Sequence, residues 1–329
     1  MKIALLTADY PPSVWSGIGV AVHRQATDLA TLGCSVQVVV SRPDEAMPDS
    51  IDEAEWIHLH SLALTELALD VRRRLRARLA YTVHTQPWLE LANHPRRRFW
   101  LDVQAHLLAS CDRAVFLSTA ERATAEALFR SLPPSAVIPN GVPPPPPALP
   151  GRAERRFVVF AGRFVQNKGI TLLEQCIRRV RRESAVEFLI AGGHGDREGA
   201  AVIERLAREH GCEVTGWLSR DDLDARFAQA LLVLVPSRYE PFGMIALEAM
   251  RMGAPVLAAN VGGLRDTVRD ESGGMLLDSS DPAAWAAETL RIIGDEALWT
   301  RLHRQGPAFV GRHYRSAAMA ERLMREVYH

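Results

Sequence analysis

Two cations in the second half of the chain share one loop. The apolar run Phe157–Ala161 is followed by Gly162-Arg163 and, five residues beyond Arg163, by Lys168-Gly169. A buried strand thus delivers an arginine and a lysine just ahead of a helix. Two cations in such a place suit a diphosphate, above all one that gains charge as it leaves. The loop is not a Walker loop, because the second glycine and the Ser/Thr after the lysine are missing. Taken alone, the pair reads better as two solvated surface cations. The residue type adds information: 37 of the 39 basic residues are arginine, and the lysines are Lys2 and Lys168. A lysine kept against that bias fits a task that needs a compact ammonium and not a planar fork.

Two carboxylates follow. In Pro236-Ser237-Arg238-Tyr239-Glu240-Pro241-Phe242-Gly243, Glu240 falls in a loop at a strand end, and Glu248 falls in the next helix. The N-terminus of that helix, near Gly243, presents unpaired N–H groups to a polar ligand. Carboxylates accept hydrogen bonds from sugar hydroxyls, so one glutamate suits a hexose and the other a ribose. As an isolated pair they read as surface helix carboxylates. Gly262-Gly263, after Val256–Ala258, offers a further backbone anion cradle. Gly192-Gly193-His194-Gly195 permits close backbone approach to a ligand, but turns use such glycines as often.

Other constellations carry less. Gly17-x-Gly19-x-x-Val22 is a partial dinucleotide fingerprint whose third position is neither Gly nor Ala, and Pro11-Pro12 separates it from the first strand, which argues against NAD. His58 and His60 share a strand face without nearby Cys or carboxylate partners, so no metal is expected. Asp221, Asp222 and Asp224 follow Ser219 and read as the start of a capped helix. Arg72, Arg73, Arg74, Arg76 and Arg78 lie beside Leu67, Val71, Leu75 and Leu79, an amphipathic helix with a solvated basic face. Its functional alternative, helped by Arg96-Arg97-Arg98, is peripheral docking to an anionic membrane or acceptor.

These residues need a scaffold that brings strand ends together. Strand-like runs at Ile3–Ala8, Val36–Val40, Trp56–Leu59, Ala80–His84, Ala114–Leu117 and Ala136–Ile138 alternate with helical stretches such as Gly19–Leu32 and Thr119–Arg130. Five prolines, Pro143 to Pro147, then form a semi-rigid linker over residues 143–150. The alternation resumes at Phe157–Ala161, Glu187–Ala191, Leu231–Val235, Val256–Ala258 and Met275–Leu277. The expectation is two doubly wound parallel α/β domains, residues 1–142 and 151–306, joined by a proline hinge. Such sheets bind ligands at the carboxyl ends of their strands, so two facing domains would make a cleft that closes on its ligand.

Composition narrows the partners. The 329 residues hold 39 basic and 39 acidic side chains, and the balance holds on both sides of residue 142, so no net field recruits nucleic acid. The scattered Cys34, Cys111, Cys176 and Cys212 form no CxxC pair, which fits a reducing, cytoplasmic compartment. No uncharged run is long enough for a membrane-spanning helix.

With Gly162-Arg163, Lys168-Gly169, the Glu240-Pro-Phe-Gly-x4-Glu248 block and Val261-Gly262-Gly263, the sequence resembles family 4 of the retaining glycosyltransferases. Ser16-Gly17-Ile18-Gly19, Val83-His84 and Val137-Ile138-Pro139-Asn140-Gly141-Val142 extend the resemblance through the first half. It implies the GT-B fold, two Rossmann-like domains with a nucleotide-sugar donor held mainly by the second. Arg163 and Lys168 would clamp the donor diphosphate, and Glu248 would bind the ribose. Glu240 and the backbone at Phe242-Gly243 would hold the transferred sugar, and backbone near Leu218 would meet the base. Gly17 would approach the phosphates, His84 would face the sugar, and the chain from about Pro307 would cross back onto the first domain.

The resemblance thus implies a metal-independent hexosyltransferase without cofactor, using a UDP-sugar and an unidentified hydroxyl acceptor of small-molecule, lipid or glycan type. A nucleotide-sugar epimerase or a non-catalytic nucleotide-sugar-binding subunit are the alternatives. Ser16 and Ala21 depart from the family's usual glycine and histidine, and the chain between Val40 and Trp56 is short; these departures touch acceptor-side loops.

Overall fold

Short apolar runs become strands, and the amphipathic runs between them become helices, in the computed structural model. It describes residues 1–11, 16–42, 51, 53–92, 94–193 and 195–329. These form two compact units, Met1–Val142 with Tyr314–His329, and Pro143–His313.

The first unit runs β1 (Lys2–Thr7), α1 (Gly17–Thr31), β2 (Ser35–Val40), β3 (Trp56–Leu59), α2 (Thr65–Leu75), β4 (Arg78–Val83), α3 (Pro87–Glu90), α4 (Arg97–Ser110), β5 (Arg113–Phe116), α5 (Thr119–Leu128) and β6 (Ser135–Val137). Its described strands pair in parallel in the order β2-β1-β3-β4-β5-β6. Since β2 and β3 flank β1 on opposite sides, the sheet has its switch point between β1 and β3, where strand carboxyl ends leave a crevice. Side chains bury both faces: Ile57, Leu79 and Phe116 on one, Leu5, Val22 and Ala80 on the other.

The second unit runs β7 (Phe157–Arg163), α6 (Ile170–Val180), β8 (Glu187–Gly193), α7 (Arg197–His210), β9 (Glu213–Gly216), α8 (Arg220–Ala228), β10 (Ala230–Val235), α9 (Met244–Arg251), β11 (Val256–Ala259), α10 (Leu264–Thr267), β12 (Gly274–Leu277), α11 (Pro282–Gly294) and α12 (Glu296–His313). Its parallel order is β12-β11-β10-β7-β8-β9, with the switch point between β7 and β10. Strand β9 was not among the strand-like runs. It is an edge strand whose Glu213 and Val214 are exposed, so the apolar signal of a central strand is missing.

Two expectations change. The chain returns to the first unit at Tyr314, not at about Pro307. Pro307 lies inside α12, where Leu302, Gly306, Phe309 and Val310 are buried and hold the helix to the second unit as far as His313. The last helix, α13 (Ser316–Glu326), packs Met319, Ala320 and Leu323 into the first unit's core beside Val22 and Leu29 of α1. The semi-rigid linker over residues 143–150 is also held by side chains: Arg251 Nη1 donates to Pro144 O at 3.2 Å and Arg155 Nε to Pro150 O at 3.1 Å. An extended proline segment has unpaired carbonyls, and these guanidiniums take them up. Finally, the basic helix is shorter than its spacing implies. Arg76 ends α2 in the left-handed conformation (φ 54°), and Arg78 and Leu79 belong to β4. Its arginines are partly engaged: Arg72 pairs with Asp112 at 3.1 Å and Arg74 donates to Ile51 O. Among the described residues no helix is long and apolar enough to cross a membrane.

Candidate functional site

At the switch point of the second unit, two strand-end loops pack backbone against backbone. Arg163 is the last residue of β7, in register with Gly193 of β8. The turn Gln166–Lys168 follows, and Gly169 opens α6 with a left-handed φ of 72°. A Cβ on Gly169 would lie 1.8 Å from Pro236 O at the end of β10, so the close approach requires glycine twice over. Arg238 N donates to Asn167 O at 2.8 Å and locks the contact.

That approach sets the chemistry. Lys168 Nζ stands 2.7 Å from Glu240 Oε2, and Ser237 Oγ donates to the same oxygen at 3.3 Å. The Lys168 and Glu240 side chains are 22% and 13% exposed, which leaves the pair accessible yet shielded enough for its charges to matter. The end of β11 closes the third side. Gly263 N donates to Glu240 O at 2.8 Å, and a Cβ on Gly262 (φ 48°) would fall 2.2 Å from that oxygen. Beyond Glu240, Phe242 is buried and Gly243 caps α9 with φ 99°.

Glu248, on α9, is buried, and its Oε2 lies 2.6 Å from Nη1 of Arg220. Arg220 opens α8 directly after Leu218-Ser219, with Ser219 Oγ accepting from Asp222 N at 3.2 Å. Burial by itself lowers the Arg220 pKa, but the Glu248 carboxylate outweighs it and holds the guanidinium above its ordinary range. Beside this pair, Asp224 bonds Arg251. The Leu218 segment and Glu248 are therefore joined by a charge pair, and Lys168 and Glu240 by another.

In the first unit, Ser16 caps α1 by accepting from Ile18 N at 3.1 Å, and the buried Asp9 accepts from Gly19 N at 3.4 Å. Gly17 is exposed, with open space where a side chain would project. His84 follows β4 and is half-buried, with Nε2 2.9 Å from Nδ1 of the buried His60. His58 stacks on His60 with ring centroids 4.4 Å apart, and its Nε2 meets Thr82 Oγ1 at 2.7 Å. Desolvation pulls the His58 pKa down to about 3 and that of His84 to about 4, and also lowers that of His60. All three rings are neutral at ordinary pH. Thus Gly17 and His84 lie in one unit, and Arg163, Lys168, Leu218, Glu240, Phe242, Gly243, Glu248 and Gly262 in the other. His194 lies outside the described residues.

Residues 155–295 match the family profile described as "Glycosyl transferases group 1", and residues 51–144 match "Glycosyltransferase Family 4". The chain belongs to the family 4 glycosyltransferases. It is similar to a D-inositol 3-phosphate glycosyltransferase of Xylanimonas cellulosilytica, 34% identical over 52% of this chain and 44% of that relative, so the match spans less than half of the relative's length. Sucrose-phosphate synthase from Thermosynechococcus elongatus superposes with a TM-score of 0.83 at 23% identity, covering 100% of this chain and 99% of that one. Anabaena HepE, in a complex with UDP-glucose, gives 0.83 at 18%, again over 100% and 99%. At such identities the superpositions show the shared fold, GT-B.

In this family 4 glycosyltransferase, reading the sequence missed Arg220, Ser237 and the link from His60 to His84. Arg220 follows a helix cap, and no motif ties it to the distant Glu248. Ser237 lies inside the quoted block, three residues before Glu240, and proximity alone was the available signal. His58 and His60 were seen as a strand-face pair, but His84 comes from the neighbouring strand, which only sheet register reveals.

Proposed function

We propose that the protein transfers a hexose from a UDP-sugar to a hydroxyl acceptor with retention at the anomeric carbon. The observation that carries this reading is Lys168 paired with Glu240 at the carboxyl ends of β7 and β10. A lysine there meets a diphosphate oxygen, with Arg163 at the end of the same strand as its second cation. Glu240, steadied by Ser237, accepts hydrogen bonds from hydroxyls of the transferred sugar, and the backbone of Phe242 and Gly243 at the start of α9 adds to them. Glu248 holds the ribose, and the Leu218 backbone meets the base. Gly17 approaches the phosphates, and His84 faces the sugar. The UDP-glucose bound by HepE and the sugar chemistry in its relatives' names favour a UDP-linked hexose.

No protein nucleophile is required. The bond between the anomeric carbon and the diphosphate oxygen breaks, and an oxocarbenium-like species forms. The acceptor oxygen bonds to the same face, and its proton passes to the departing diphosphate. Lys168 and Arg163 stabilise the charge that grows on that oxygen, and placement supplies the rest.

Thermal-shift measurements with UDP, GDP and ADP test the donor side, since ligand at 100 Kd adds about 2.7 kcal/mol. UDP is expected to raise the melting temperature most; no response to any nucleotide overturns the reading. Incubation with UDP-glucose and candidate acceptors tests the reaction. Acceptor-dependent UDP release supports a transferase, and acceptor-free sugar conversion would make the protein an epimerase.

A further inference from the structure

The first unit carries a row of three histidines on one face of its sheet, at the carboxyl ends of β3 and β4. His58 is fully satisfied: Nε2 lies on Thr82 Oγ1, while Nδ1 accepts from Gln25 Nε2 at 3.1 Å and also meets Tyr328 Oη. Its proton therefore resides on Nε2. His60, stacked beside it, is 3% exposed. Its Nδ1 faces Nε2 of His84 at 2.9 Å, and its own Nε2 meets no hydrogen-bond partner among the described residues.

Two neutral imidazoles joined by one hydrogen bond have two proton arrangements. In the first, His84 Nε2–H donates to His60 Nδ1. His60 must then carry its proton on Nε2, as a buried N–H with no acceptor. In the second, His60 Nδ1–H donates to His84 Nε2, and His60 Nε2 is a bare lone pair. A stranded buried N–H is rarer and costlier than an unused lone pair, so the second arrangement wins. His84 then keeps its proton on Nδ1. Burial supports this logic by keeping the rings neutral, since an added proton would make one ring a donor at both of its nitrogens.

We propose that His60 is a positioning residue that donates to His84 Nε2 and so fixes His84 as an Nδ1–H donor toward a sugar oxygen. His84 in this state offers no lone pair to an incoming hydroxyl and is not the general base. The acceptor's proton is left to the departing diphosphate oxygen. The inference rests on the reading of His84 as sugar-facing, given above.

Long-range 1H–15N correlation spectra of uniformly labelled, nucleotide-free protein read both tautomers directly and do not depend on any activity. The expected result is a protonated Nδ1 and bare Nε2 on His84, with a protonated Nδ1 on His60; an Nε2–H tautomer on His84 overturns the proposal. Turnover gives the second arm. Leucine at position 60 removes the donor, and asparagine returns an N–H close to the place of Nδ1. His60→Leu should lower kcat about tenfold, with donor KM and free UDP affinity unchanged, and His60→Asn should recover most of it. Equal kcat in wild type and His60→Leu, or equal loss in both variants, overturns it. Should His60→Leu fail to fold, the wild-type spectrum and His60→Asn still decide. His84→Ala with unchanged turnover would instead remove the sugar-facing reading, while the tautomers seen by NMR would stand.

Discussion

The strand-end site of the second unit and the histidine row of the first manage charge in opposite ways. Around Glu240 and Glu248, charges are present but each is held against a partner, Lys168 in one case and Arg220 in the other. Around His60, charge is excluded by burial, and three titratable rings stay neutral. Under the proposed function, the contrast follows from what each place would have to stabilise. A leaving diphosphate gains negative charge and needs cations that are already oriented. A sugar hydroxyl needs a neutral group whose proton sits on a known nitrogen, and a titrating imidazole would blur that. Pre-paired ions also spare the second unit the larger penalty of a lone buried charge.

The comparison breaks most visibly at Lys168. Lys168→Ala should lower kcat on the order of 10²–10³-fold, because in the proposed reaction the charge it would neutralise grows only as the glycosidic bond breaks. Lys168→Arg should recover part of that, since the fork keeps the charge but seeks bidentate geometry. Wild-type turnover of Lys168→Ala in steady-state kinetics would reduce it to a surface cation.

Removing Arg220 tests the second charge pair. Arg220→Ala leaves the Glu248 carboxylate buried without its cation and should cost about 3 kcal/mol of stability, visible in the urea midpoint. Adding Glu248→Gln to that variant should restore much of the loss, because a neutral amide does not need the guanidinium. An unchanged midpoint in Arg220→Ala would mean that the pair is effectively solvated.

Acid tests the neutral row. The folded values near 3 for His58 and near 4 for His84 lie below the unfolded 6.5. Between those limits the unfolded chain binds more protons, so stability rises with pH across that window and levels off above it. Each such histidine contributes a slope of up to about 1.4 kcal/mol per pH unit. Denaturant midpoints from pH 4 to 8 check this, and His58→Gln should flatten the curve. A flat profile in the wild type would show that the rings are hydrated and charged in the fold.

The smallest effect separates the two glutamates. Glu248→Gln should weaken free UDP about tenfold, a loss of about 1.4 kcal/mol, whereas Glu240→Gln should spare UDP and reduce turnover. Calorimetric titration with UDP decides it, and equal losses of affinity in the two variants would undo the division of roles.

What the sequence determined by itself was local. Runs such as Leu231–Val235 and Phe157–Ala161 announce buried strands through continuous apolar residues, and the Lys168-Gly169 and Glu240-to-Glu248 motifs follow such runs. Periodicity and motif spacing need only neighbours in the chain, so these were legible. Strand β9 was not, since an exposed edge strand lacks the apolar pattern. Neither was the return to the first unit, which the resemblance implies from about Pro307, whereas the buried face of Gly306, Phe309 and Val310 carries α12 on to His313. Tertiary structure alone decided the partners. Parallel register sets His58 opposite Ala80 and thereby brings His60 to His84. The packing of α8 on α9 puts Arg220 on Glu248, and the contact of Gly169 with Pro236 puts Lys168 on Glu240. A hydrogen bond or ion pair depends on distance in space, and the order of residues along the chain does not encode that distance until the sheets have formed.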